Sequence, residues 1–277
     1  MKRYSFTILL GISLAIAIGV KGTLYITTRV QSRYQPVPTE TASDFVPEKI
    51  EIIRETEAIE ETAAEPLEEI FAETPYEAPE RPAFVTADRD YFSDALFVGD
   101  SRTIGLYEYG DLGDADVFAS TGMTVFEIFD TSLSVRSSGK TTLEGLLTSR
   151  TYGKIYIMLG INEMGYPYES IVKKYKSLVD TVRRLQPEAT LFLQANLHVT
   201  KQKSQSIPTY GNEKIARLNP AIEEMTKEAE NMYYLDVNPL FDDGEGNLSV
   251  SYTTDNAHVL GKYYVNWADW LLTNAVP

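Results

Sequence analysis

The chain has 277 residues, enough for one sizeable domain with additions. It contains no cysteine and only two histidines, His198 and His258, which excludes disulfide frameworks, thiolate nucleophiles and cysteine-ligated metal centres and leaves too few imidazoles for a histidine-rich metal site. The formal net charge is −15, a sign that offers no footprint for nucleic acid, so chemistry must rest on hydroxyls, carboxylates and very few imidazoles.

The first element is "YSFTILLGISLAIAIGV", residues 4–20, preceded by Lys2 and Arg3. A basic start followed by an apolar run is what export requires. The run reaches Ile26 if Lys21 snorkels to the interface. No small-x-small cleavage site follows, so residues 1–30 are expected to be an uncleaved signal anchor that leaves the rest of the chain extracytoplasmic, with a cleaved signal peptide as the alternative. From residue 31 to 82 the composition turns to Glu, Ala, Thr and Pro. Fourteen acids against two bases, Lys49 and Arg54, lie between Glu40 and Glu80, a charge of −12. Such a tract cannot bury enough apolar surface to order itself, and it reads as a linker with a reach of roughly 40 Å as a flexible coil.

From residue 83 to 277 the pattern becomes regular. "ALFVGD", "ADVFAS", "KIYIMLG", "ATLFLQANL" and "MYYLDV" are five apolar runs of strand length. Helical patterns separate them: "TVFEIFDTSL", "TTLEGLLTSR", "YESIVKKYKSLVDTVRRLQP", "NEKIARLNPAIEEMTKEAEN" and, last, "VLGKYYVNWADWLLTNAV". Strands alternating with helices predict a parallel sheet covered on both faces, whose sites open at the carboxyl ends of the strands.

Ser101 meets that rule. It follows "ALFVGD" and precedes a short helix, although Gly-Asp-Ser is also ordinary turn and cap chemistry. A serine hydroxyl needs a base to become a nucleophile. His258 follows the fifth strand in "TTDNAHVLG", with Asp255 three residues before it. That spacing lets a carboxylate reach Nδ1 while Nε2 faces the serine; the alternative makes Asp255 or Asn256 a cap of the last helix. The second strand ends at Gly122, whose N–H is accessible. The third ends at Asn162, whose amide can point into the site, giving two candidate oxyanion donors.

At "GDS" (99–101), Gly122, "GIN" (160–162) and the D-x-x-H of 255–258, the chain resembles the SGNH, or GDSL-type, esterase and lipase superfamily. The resemblance spans about Asp94 to Leu272. It implies a three-layer α/β/α fold with a flavodoxin-like five-stranded parallel sheet. It also implies Ser101 as nucleophile, His258 as general base and Asp255 as its orienter, with the Ser101 N–H, the Gly122 N–H and the Asn162 side chain as oxyanion hole. No cofactor or metal is implied. Two positions depart from the pattern: Arg102 stands where "GDSL" has Leu, and Glu163 where "GxND" has Asp. Arg102 is expected in a surface ion pair or against an anionic substrate group. Glu163 and His198, the latter at the end of the fourth strand, are the other candidates for substrate contact. "KQKSQSIPTYGN" either overhangs the site or is a solvated connection, and Tyr263, Tyr264, Trp267 and Trp270 read as core.

The expectation is a membrane-tethered extracytoplasmic serine esterase, of bacterial type, that removes small acyl groups, acetyl above all, from a carbohydrate or cell-wall polymer. Two alternatives stay open: an acyltransferase of the same fold, and a catalytically silent surface-displayed module that binds carbohydrate.

Overall fold

A computed structural model describes residues 81–277. The anchor expected over 1–30 and nearly all of the linker expected over 31–82 lie outside the described residues. Among the described residues, no helix is long and apolar enough to cross a membrane.

β1 (Ala95–Gly99) is buried along its whole length and leads through Asp100 into α1 (Ser101–Tyr109). β2 (Asp116–Ala119) follows, then an antiparallel hairpin of β3 (Ser132–Val135) and β4 (Gly139–Thr142), then α2 (Leu143–Ser149). β5 (Lys154–Met158), α3 (Tyr168–Leu185) and β6 (Thr190–Gln194) form the middle of the domain. The last third carries α4 (Lys201–Ser206), α5 (Asn212–Met225), β7 (Met232–Leu235), α6 (Asn238–Phe241) and α7 (Tyr264–Leu272).

Five strands form one sheet in the order β2-β1-β5-β6-β7, every neighbouring pair parallel. The strand period of two divides its side chains between two cores. Leu96, Val98, Ile155, Ile157, Leu191 and Leu193 face the cluster that contains Tyr175, Leu178 and Val182 of α3 and Ile215, Leu218 and Ile222 of α5. Phe97, Tyr156, Phe192 and Tyr233 face the other way, toward Leu106 of α1 and Trp267 and Leu271 of α7. The register places those four rings side by side across the strands; Phe97 stacks on Tyr156 at 4.5 Å and Tyr156 on Phe192 at 4.6 Å between centroids. The three-layer architecture and five-stranded parallel sheet expected from the sequence are present.

Two helices differ from expectation. "TVFEIFDTSL" forms turns that run into β3. Its Val125 and Ile128 are buried, and the Val125 N–H donates to the Glu163 carboxylate at 2.9 Å. The terminal helix begins at Tyr264, after a single turn of 3₁₀ helix at Gly261–Tyr263. Leu260 stays extended because its N–H bonds to the Tyr252 carbonyl at 2.7 Å. "KQKSQSIPTYGN" is not bare loop: α4 occupies its start, capped by the Thr200 hydroxyl, which accepts from the Lys203 N–H.

Candidate active site

Because the sheet is parallel, β1, β2, β5 and β6 deliver their following residues to one edge. At the end of β1, Asp100 caps α1, accepting the Arg102 N–H at 2.9 Å, and is fully buried. Gly99 permits this sharp entry, since a Cβ there would stand 2.7 Å from the Met158 carbonyl oxygen. Ser101 is thereby the first helical residue, half-buried, with its hydroxyl at the helix N-terminus.

The Ser101 Oγ lies 2.8 Å from His258 Nε2, and His258 Nδ1 lies 2.6 Å from Asp255 Oδ2. A carboxylate can only accept, so Nδ1 carries the proton and Nε2 is left to accept from the serine hydroxyl. The other Asp255 oxygen accepts the His258 N–H at 2.8 Å, the Ala257 N–H at 2.9 Å and the Thr253 hydroxyl at 3.2 Å. Partial burial raises the Asp255 pKa, but these bonds from the His258 backbone, its ring and Ala257 outweigh that and hold the carboxyl well below the usual range. The loop is also pinned from outside: the Thr200 N–H and hydroxyl both donate to Asn256, each at 3.0 Å. Asn256 adopts φ +69°, a left-handed conformation that Asn tolerates better than most residues. Neither Asp255 nor Asn256 caps the last helix.

Asn162 stands beside this chain of groups. Its amide donates to the Met123 carbonyl at 3.1 Å and reaches Asp100 Oδ2 at 3.4 Å, tying the loops after β5, β2 and β1 together. Gly122, in the turn three residues past β2, has φ +78° and open space where a side chain would stand.

Two of the three candidates for substrate contact lie inside the core. Arg102 is 2% exposed, so the expected surface position is corrected: helix α1 turns its side chain inward, where Nη2 donates to the Ala257 carbonyl at 3.2 Å and the Leu197 carbonyl at 3.5 Å. Glu163 is wholly buried beneath Val125, and burial pushes its carboxyl up to about 7. Its expected place against substrate is likewise corrected to one inside the core. His198 is partly exposed and pairs through Nδ1 with Asp242 Oδ2 at 2.9 Å.

Sequence reasoning missed Asp242, which no spacing links to His198. It also missed Thr200 and Thr253, whose parts depend on tertiary contact. Asp100 could have been found, because an Asp directly before a helix start is a cap signal. Beside the Asn162 loop lies a cavity of about 210 Å³ lined by Met164, Tyr166, Lys214 and Leu218 among others. Tyr166, exposed, packs against Phe126 at 4.5 Å between ring centroids.

The arrangement matches what nucleophilic acyl transfer requires: an activated hydroxyl, an oriented base, and amide donors nearby. The GDSL-like lipase/acylhydrolase family model matches residues 97–262, a stretch that contains all of these groups. Among solved structures, a Streptococcus pneumonia protein described as a platelet activating factor is similar at 21% identity and a TM-score of 0.50, covering 65% of this chain and 81% of its own. A GDSL-like lipase from Bacteroides thetaiotaomicron is similar at 15% identity and a TM-score of 0.48, covering 69% of this chain and 88% of its own. An acetyl xylan esterase is similar at 14% identity and a TM-score of 0.46, covering 66% of this chain and 99% of its own. At such identities the likeness concerns the fold alone. No curated protein matches the chain.

Proposed function

Since the chain belongs to the GDSL-like lipase/acylhydrolase family, we propose that it is a serine esterase held at a membrane by its N-terminal segment, with its catalytic domain outside the cytoplasm, where it removes small acyl groups, acetyl above all, from a carbohydrate or cell-wall polymer. The observation that carries the reaction type is the hydrogen-bonded series Ser101–His258–Asp255, at 2.8 and 2.6 Å.

His258 takes the Ser101 proton as the hydroxyl attacks the ester carbonyl, and Asp255 stabilises the imidazolium that results. The tetrahedral oxyanion forms beside the α1 N-terminus. There the Ser101 and Gly122 N–H groups and the Asn162 amide, released from its long contact with Asp100, supply donors. His258 then protonates the departing alcohol, leaving an acetyl-serine that water opens by the same route in reverse. The polymer reading rests on the apolar start and the long acidic tract, which together suit a domain working at a distance from a membrane. The exposed Tyr166, packed on the half-buried Phe126 beside the site, adds an aromatic face on which a sugar ring can stack.

The test uses the full chain in detergent. A fluorophosphonate is expected to label Ser101, located by peptide mass spectrometry. p-Nitrophenyl acetate is expected to turn over faster than the butyrate ester, and acetylated polysaccharide to release acetate. The membrane fraction of producing cells is expected to retain the protein through an alkaline wash, with the domain open to added protease. Absence of both labelling and turnover would sink the esterase reading, and acyl transfer to an added sugar in preference to water would replace it with a transferase.

A further inference from the structure

Arg102 carries a charge into the core beside the nucleophile, and its partners are specific. A guanidinium out of water is costly unless its donors are satisfied. Among the described residues no ion pair of Arg102 occurs and its Nε has no partner; Nη2 alone donates, to two backbone carbonyls, those of Ala257 at 3.2 Å and Leu197 at 3.5 Å. Ala257 is the residue immediately before His258, and Leu197 the residue immediately before His198. Neither carbonyl has another partner among the hydrogen bonds of the described residues. Burial raises the Asp100 carboxyl and the Arg102 charge draws it back down, so the two buried groups favour each other's charged forms.

Ser101 and Arg102 are consecutive residues of one helical turn, so whatever fixes the Arg102 head fixes the Ser101 hydroxyl relative to the same point. On the other side, the 253–258 loop is already a braced unit, with Asp255 gathering three donors and Asn256 held by Thr200. The bond between Arg102 and the Ala257 carbonyl joins these two units one residue away from the Ser101–His258 contact.

We propose that Arg102 is a positioning residue whose buried guanidinium ties the helix beginning at Ser101 to the backbone before His258 and before His198, and so sets the distance at which the imidazole meets the serine hydroxyl. The proposal rests on the reading that Ser101 and His258 carry the chemistry. An aliphatic residue in its place fills the volume but leaves two carbonyls facing it without donors, and the loop shifts to rehydrate them.

The experiment compares full-chain Arg102→Met and Arg102→Lys with Leu106→Ala, which removes a buried side chain of the same helix without touching either carbonyl. Steady-state kinetics on p-nitrophenyl acetate, thermal unfolding, and the far-downfield proton signal of the His258 Nδ1–H in NMR are measured for each. Misplacing a catalytic group by about 1 Å can cost on the order of 10²-fold, and Arg102→Met is expected to lose kcat on that scale with KM nearly unchanged. Arg102→Lys keeps the charge but ends in an ammonium on a shorter side chain that stops short of the Nη2 position from which both bonds are made, and is expected to lie between Met and wild type. The downfield signal is expected to broaden or vanish in Arg102→Met and to persist in Leu106→Ala. Wild-type kcat in Arg102→Met, or an equal loss of kcat and signal in Leu106→Ala at matched stability, overturns the proposal. If Arg102→Met does not fold, Arg102→Lys decides: reduced kcat with an altered signal supports the role, and wild-type values in both reject it. A wild-type chain that turns over no ester removes the functional reading, while the NMR comparison still decides what Arg102 does to the imidazole.

Discussion

Replacing Ser101 by Ala, or His258 by Ala, is expected to lower kcat for p-nitrophenyl acetate by roughly 10⁴-fold or more, and the double replacement to lower it hardly further. The reason is geometric. Ser101 Oγ and His258 Nε2 share one hydrogen bond at 2.8 Å, so each group is useful only through the other: without the base the hydroxyl keeps its proton, and without the hydroxyl the base has nothing to activate. What survives in either variant is the contribution of the α1 N-terminus and the Asn162 amide, which is the same in both. Asp255→Asn is expected to fall nearly as far, because an amide –NH₂ facing Nδ1 forces the ring into the tautomer whose Nε2 carries the proton and cannot accept one. Circular dichroism should stay unchanged for all three, since Ser101, Asp255 and His258 are not among the buried core residues. Losses that add in the double variant would mean that Ser101 and His258 act separately, and the acyl-enzyme mechanism would have to be abandoned.

The layers and the strand order of the site were legible because they depend on period and sequence order. Five β-branched and aromatic runs with helical patterns between them leave few arrangements other than a parallel sheet, and a parallel sheet sends every strand end to one edge. Asp255 and His258 were legible for a local reason: three residues apart in one loop, they meet without help from the rest of the fold. The failures have the opposite character. The segment 124–133 has the apolar spacing of a helix, yet it closes only single turns, Glu127 N–H to the Thr124 carbonyl and Asp130 N–H to the Glu127 carbonyl, and it is tied to Glu163, 38 residues from Val125, a tertiary contact that cannot be seen from the segment itself. Arg102 looks like a surface residue by type. Only the approach of residues 197 and 257 from the far part of the chain creates carbonyls for it to satisfy. His198 acquires Asp242 in the same way.

Glu163 is expected to make the protein less stable as pH rises from about 4.5 to 7, and Glu163→Gln is expected to remove its share of that dependence. The side chain is fully buried, Oε1 accepts the Val125 N–H at 2.9 Å, and Oε2 has no partner. Burial first, and the nearby Asp100 carboxylate among the lesser causes, push the carboxyl from its ordinary 4.5 up to about 7. A carboxyl with a raised folded-state pKa binds its proton more tightly when folded. Its contribution to stability is therefore complete below the unfolded value and is lost as pH climbs to the folded one. The difference across that window is roughly 3 kcal/mol. Asp100 is shifted in the same direction by its own burial, and Asp255 in the opposite direction, losing its contribution only as pH falls through the acid range. Subtracting the variant's urea-unfolding curve from that of the wild type at each pH cancels Asp255 and leaves Glu163 together with its coupling to Asp100. Gln keeps the acceptor for Val125 and carries no charge, so its curve should decline less steeply than the wild type's, keeping only the part due to Asp100, and the two should separate most above pH 7. Curves that stay parallel from pH 4.5 to 8 would show that Glu163 ionises freely when folded. The buried carboxylate would then have found a partner for Oε2, for which the Tyr175 hydroxyl, also buried and without a partner, is a candidate.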